Sequence, residues 1–171
     1  MKNKPQDTTT EISNSLHFSF KTPDWERFID CSQLDLGPVY QNDSTFYVSA
    51  TSASTLETFY FTYPSDSSIM VRSTNIGNYP IQLFGSHESY FEFSQKLPIT
   101  AGSNTRLVSE KGFSATTYNE VVEINYVNSE TEYAVFQIKC RYSMIASVLP
   151  EATTKRNISG TFHFKVRTYR K

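Results

Sequence analysis

The feature that most constrains this chain is a strict two-residue alternation in its last third. Ala134, Phe136, Ile138, Cys140, Tyr142 and Met144 occupy every second position, and Gln137, Lys139 and Arg141 fall between them. Successive side chains of an extended strand point to opposite faces, whereas a helix would smear such a pattern around its whole circumference. The pattern returns near the C-terminus, where Phe162, Phe164 and Val166 alternate with Thr161, His163, Lys165 and Arg167. Strands with one apolar and one wet face pair antiparallel and bury the apolar face against a second layer.

The same period runs through the earlier chain. Leu16, Phe18 and Phe20 alternate with His17, Ser19 and Lys21, and Pro23 ends that run. Phe46, Val48 and Ala50 alternate with polar neighbours, and so do Phe59, Phe61 and Tyr63 before Pro64-Ser65-Asp66. In the segment before Asn128-Ser129-Glu130, parity puts Val122, Ile124 and Tyr126 inside, with Glu123 and Asn125 outside. Weaker strands are expected at 68–73, 79–84 and 89–94, with residues 101–112 as a loop. Thirteen Phe and eleven Tyr favour pleated, half-buried strands. Only residues 24–31 carry a helical spacing, with Trp25, Phe28 and Ile29 at i, i+3 and i+4, so a short helical turn is expected there.

The expected architecture is therefore one all-β domain over 15–171, an antiparallel β-sandwich, preceded by a polar, disordered leader over 1–14. A small lipocalin-like barrel is the alternative. In that family an early Trp is packed by a late Arg, here Trp25 and for instance Arg167, and the family's G-x-W reads Pro23-Asp24-Trp25. The expected core is Phe18, Phe20, Phe46, Val48, Phe59, Phe61, Phe136, Ile138, Phe162 and Phe164.

Several function classes find no seat. No apolar run approaches the roughly 20 residues of a membrane-spanning helix. The leader has lysines but no apolar centre, which leaves two readings: a cytoplasmic protein, or one whose signal or lipid anchor has been removed. Gly-rich phosphate loops, G-x-S-x-G and Cys-x-x-Cys are absent, so no catalytic residue, metal site or cofactor is expected. Cys31 and Cys140 admit two readings. A bridge would close about 110 residues and contribute roughly 4–5 kcal/mol on the chain-entropy model; otherwise both are buried free thiols.

Charge is divided along the chain. Residues 1–136 carry a net −8 and residues 137–171 a net +7. Were the last two strands neighbours, Lys139, Arg141, His163, Lys165 and Arg167 would share one wet basic face able to attract an anionic partner. The competing reading pairs these side chains with acidic ones on an adjacent strand, such as Glu123. His17 and His163 lie on outward parities and are expected in solvent. Tyr47, Tyr60, Tyr90 and Tyr133 oppose the core-facing side chains; Tyr60 and Tyr133 join the candidate binding residues because Tyr suits sugar stacking and protein contact. A near-neutral total argues against nucleic acid.

The order of features carries a resemblance. Phe18 to Trp25, Gly77-Asn78-Tyr79-Pro80-Ile81, the strand at 121–125 and the ending Ile158-Ser159-Gly160-Thr161-Phe162-His163-Phe164 are similar to a family of uncharacterised secreted lipoprotein domains of Bacteroidota. About seven residues carry its specific part. The family's signal and lipid-anchor Cys have no counterpart here, and neither do Cys31 and Cys140 there. The resemblance implies a cell-envelope or secreted β domain and brings no catalytic residues with it. The expected function is a non-catalytic envelope module that binds carbohydrate or protein through a sheet face or loops. The alternatives are a barrel carrying a small hydrophobic ligand, and an assembly subunit of a surface or phage particle.

Overall fold

The computed structural model describes residues 11–24, 26–35, 37–51, 58–96, 105–151 and 153–171. Their elements run β1 (His17–Lys21), β2 (Glu26–Asp30), β3 (Val39–Asn42), β4 (Thr45–Thr51), β5 (Thr58–Pro64) and α1 (Ser67–Met70). A 3-10 turn at Ser73–Asn75 follows, then β6 (Gly77–Tyr79), β7 (Phe91–Lys96), β8 (Arg106–Ser109), β9 (Tyr118–Ser129), β10 (Tyr133–Leu149) and β11 (Lys155–Tyr169). The strands join in one antiparallel sheet, in the order β2-β1-β11-β10-β8-β7-β5-β4-β3.

The length of β10 explains how one sheet becomes two layers. β11 runs along one edge of it from Tyr133 to Ser147. Along the other edge it pairs first with β9, over 134–143, and then with β8, over 146–149. It is thus shared by a layer of β2, β1, β11, β10, β9 and β6 and by a second layer of β8, β7, β5, β4 and β3. The layers face one another through aromatic rings. Phe18 of β1 lies 5.2 Å from Phe59 of β5 and 5.9 Å from Phe93 of β7, and Phe162 of β11 lies 5.3 Å from Phe61. Rings at these separations add edge and offset-stacking energy to their buried area. The sheet path ends at β2 and β3 without joining them, so the protein adopts the expected sandwich and not the barrel.

All ten side chains expected in the core are buried. Cys31 and Cys140 are buried free thiols, which settles that choice; burial pushes the Cys140 thiol well above its usual range.

Several expectations fail on the backbone. The helical turn at 24–31 is instead strand β2, paired with β1 from His17↔Asp30 to Lys21↔Glu26; Trp25 lies outside the described residues. A five-residue β1 edge offers a row of hydrogen-bonding groups, and that ladder outweighs a weak helical spacing. The strand expected at 68–73 begins instead within α1, Ser67–Met70, because Asp66 caps that turn, its carboxylate accepting from Ser68 N–H at 2.8 Å. Within the expected loop 101–112, residues 106–109 form β8, which is needed between β7 and the far end of β10; residues 101–104 lie outside the described residues. Of the expected leader, residues 1–10 also lie outside them, whereas Ile12 is buried and Asn14 accepts from Lys139 Nζ at 2.6 Å.

Another concerns β9. Against Lys139 and Cys140 it presents Glu123 and Val121, so Val122 is an extra residue in a β-bulge. A bulge reverses strand parity. Asn119 and Val121 are therefore buried on one side of it and Ile124 packs inward on the other, while Tyr126 is exposed.

Candidate functional site

β10 and β11 are neighbours, and Lys139 sits directly opposite His163. Gln137 opposes Lys165, Arg141 opposes Thr161 and Val135 opposes Arg167, so the five expected basic side chains do share one face. That face is largely neutralised. Lys139 Nζ lies 3.5 Å from Glu123, and Arg141 Nε lies 3.2 Å from Glu120, both carboxylates coming from β9. Arg167 grips Glu130 through two hydrogen bonds of 2.8 and 3.1 Å and also donates to Asp35. Those bonds hold the Glu130 and Asp35 carboxyls below their usual range. Cross-strand pairing is what these charges do first.

The two histidines are not in solvent: His17 is 1% exposed and His163 3%. The segment before β1, together with Phe28 of β2, covers the face that parity assigns to water. The His17 ring stacks on Phe28 at 4.8 Å; its Nδ1 lies 2.7 Å from Ser15 O and its Nε2 2.8 Å from Thr161 Oγ1. Burial lowers both imidazoles from their ordinary 6.5, and the Lys139 charge lowers them further.

Tyr60 and Tyr133 lie on different layers. Tyr60 is only 5% exposed and stacks between Tyr47 at 4.7 Å and His87 at 5.1 Å. Burial pushes its phenol up to about 12. The covering segment is tied down by the buried Glu92, whose carboxylate accepts from the Gly85 N–H at 2.9 Å and the His87 N–H at 3.1 Å. Tyr133 stacks on Tyr169 at 5.5 Å, and the Tyr169 hydroxyl meets that of Tyr40, which is 58% exposed, at 2.7 Å. Tyr60 therefore stands apart from the basic face, whereas Tyr133 lies at the end of that face, opposite Tyr169.

Between the layers, beside α1, lies a cleft of about 380 Å³. Phe61, Met70, Val121, Ile124 and Ile138 form its apolar wall, and the rings of Tyr79 and Tyr90, 5.0 Å apart, stand at it. Most of its polar groups are already engaged. Asn75 Nδ2 donates to Ile69 O at 2.7 Å and Met70 O at 3.0 Å, and the Tyr79 hydroxyl donates to Asn75 O at 2.8 Å. Thr62 Oγ1 accepts from Tyr90 N–H at 2.7 Å, and Thr62 N–H donates to Tyr90 O at 3.0 Å. Those bonds hold Tyr90 at φ +99°, a conformation costly for a side chain this bulky.

Asn119 is the buried exception. It is 1% exposed and lines the cleft, yet neither its Nδ2 nor its Oδ1 finds a nitrogen or oxygen partner among the described residues. The Cys140 thiol lies beside the amide and is a weak partner at best. Parity counted from Ile124 places Asn119 outside, which is why it is not among the expected site residues. The adjacent Val121-Val122 pair, two apolar residues where alternation allows one, is the signal that marks the bulge.

Among the described residues no group of three His, Cys, Asp or Glu side chains stands close enough to hold a metal ion, and no helix is long and apolar enough to cross a membrane. Comparison with protein-family models, with curated proteins and with solved structures found no match to this chain.

Proposed function

We propose that the protein is a non-catalytic β-sandwich binding module whose site is the cleft between its layers. The observation that carries this reading is the cleft itself: about 380 Å³ of mainly apolar wall with two tyrosine rings and a few polar groups. Pockets of roughly 300–1,000 Å³ with that make-up are the usual form of small-molecule sites. The cleft combines the expected binding module with the hydrophobic ligand of the barrel alternative, on a sandwich. The basic face has most of its charge consumed by β9 and by Asp35 and Glu130, so it competes poorly for an anionic partner.

A second reading rests on a separate observation. Tyr40, Tyr169 and Tyr133 form a stacked surface group, the kind of platform on which sugar rings or protein side chains pack. The envelope or secreted setting belongs to the proposal too, on the strength of the Ile158–Phe164 motif; cell fractionation tests it.

The cleft reading is tested by titrating 1-anilinonaphthalene-8-sulfonate, an apolar fluorescent probe, into the folded protein. One saturable site is expected, lost when Ile138→Trp fills the wall and kept in Tyr40→Ala. Binding that survives Ile138→Trp, or that never saturates, removes the cleft as the site. A glycan array on which Tyr40→Ala and Tyr133→Ala lose signal while Ile138→Trp keeps it would favour the surface platform.

A further inference from the structure

We infer that the ligand of this cleft is uncharged and presents a planar amide edge, as a primary carboxamide or a lactam does, on an apolar body. The inference rests on the cleft being the binding site. Its starting point is Asn119, almost wholly buried with both amide atoms lacking a nitrogen or oxygen partner among the described residues. Burying a side-chain amide without partners is unfavourable, and a partner of the same geometry reverses that cost. The Cys140 thiol can engage one of the two atoms weakly and leaves the other.

Oδ1 can only accept and Nδ2 can only donate, so the side chain offers one acceptor and one donor side by side in a plane. The complementary edge is an N–H and a C=O on adjacent atoms, again in a plane. An ester or ketone supplies the acceptor alone, and an alcohol cannot meet both atoms in parallel. Asn75 Nδ2 and Thr62 Oγ1 do not compete for this edge, because both are held by backbone.

Two further observations fix the rest of the ligand. Among the described residues no Asp, Glu, Lys, Arg or His lines the cleft, so a charged ligand would lose its hydration without gaining a counter-charge. Tyr79 on β6 is the direct cross-strand partner of Asn119 on β9, which places an aromatic ring on the same face as the amide. Tyr90 lies 5.0 Å beyond it. A flat ring bearing an amide can therefore stack at the mouth while its edge reaches Asn119.

The test compares three compounds with one apolar body: 2-naphthamide, methyl 2-naphthoate and the 2-naphthoate ion. Binding to wild type, Asn119→Leu and Ile138→Trp is followed by amide NMR shifts. Wild type should bind the amide about tenfold more tightly than the ester, as one extra net hydrogen bond requires, and the ion least. Asn119→Leu should bring amide and ester within about twofold, keep the ester site, and melt no lower than wild type, since it removes a buried polar group. Asn119→Val repeats the comparison with a smaller, strand-favouring side chain should Leu fail to fold. Equal affinity of wild type for amide and ester overturns the inference and leaves the cleft standing. An amide preference that persists in both Asn119 variants does the same, and so does a marked loss of stability in both. If no compound shifts cleft resonances in wild type, the binding site itself has been misplaced.

Discussion

Gly160 shows what a single residue contributes to the fold. A Cβ at this position would stand 2.0 Å from Ser19 O and 2.6 Å from the Tyr142 hydroxyl. The β1–β11 ladder is interrupted here, between Phe18↔Phe162 and Lys21↔Ser159. Ser19 takes over, its hydroxyl accepting from Thr161 N–H at 3.0 Å, while the Tyr142 hydroxyl donates to Ser19 O at 2.7 Å. The Ile-Ser-Gly-Thr-Phe-x-Phe motif thus has a packing explanation: Ile158, Phe162 and Phe164 fill the core, and Gly160 lets β1 approach. Gly160→Ala should cost about 3 kcal/mol or more, the upper range for overpacking, because the obstacle is backbone. Urea unfolding measures it, and a loss below about 1 kcal/mol would mean that β1 can shift aside.

At the scale of elements, β7 is the most informative. Its outward Glu92 is 1% exposed and opposes Tyr60 on β5. A buried carboxylate needs hydrogen bonds, and the Gly85 and His87 N–H groups provide them. Both donors come from residues with positive φ, +86° at Gly85 and +52° at His87, so the carboxylate organises the segment that covers Tyr60. Glu92→Gln leaves one of these donors facing an NH₂ group. The expected loss is about 1–3 kcal/mol, with faster hydrogen exchange at the His87 amide. Unchanged exchange there would show that the segment holds itself.

Elements also show where the sequence could and could not be read. Parity located β1, β4, β5, β10 and β11, because each keeps one uninterrupted period against the core. It failed on β2 and β8, whose strand character comes from the neighbour they complete; β2 has no buried residue at all. In β9 the bulge at Val122 reversed the count and hid Asn119.

The whole molecule decides how the protein responds to acid. His17 and His163 come together only because β1 pairs with β11, where they are opposite residues, and Lys139 opposes His163 from the far side. Facing this group are Lys139 on β10, Glu123 on β9 and Asp30 on β2, which opposes His17. Both imidazoles are lowered by burial, so the folded protein binds fewer protons than the unfolded chain just below 6.5. Stability is then fully present above that pH and falls as the pH drops through it toward the folded values. The melting temperature should decline from about pH 7.5 to about pH 5. Glu110, Asp35 and Glu130, whose carboxyls are lowered, stay ionised in that window and lose their contribution only at lower pH. A His17→Asn/His163→Asn double variant should flatten the decline. A slope unchanged in that variant would assign it to other groups.

By itself the sequence determined that the chain is an antiparallel β protein with a phenylalanine-rich core, and it named ten residues of that core. Period-two alternation is a local property, written in each strand without reference to its partners. The tertiary structure alone decided that the sheet folds over through β10, that β9, Asp35 and Glu130 cancel most of the basic face, that the histidines are roofed, and that Asn119 lines a cleft beside α1. Each of those depends on which strand lies next to which and where a bulge falls. They are set by the total burial and hydrogen bonding of the assembled layers, which no single segment records.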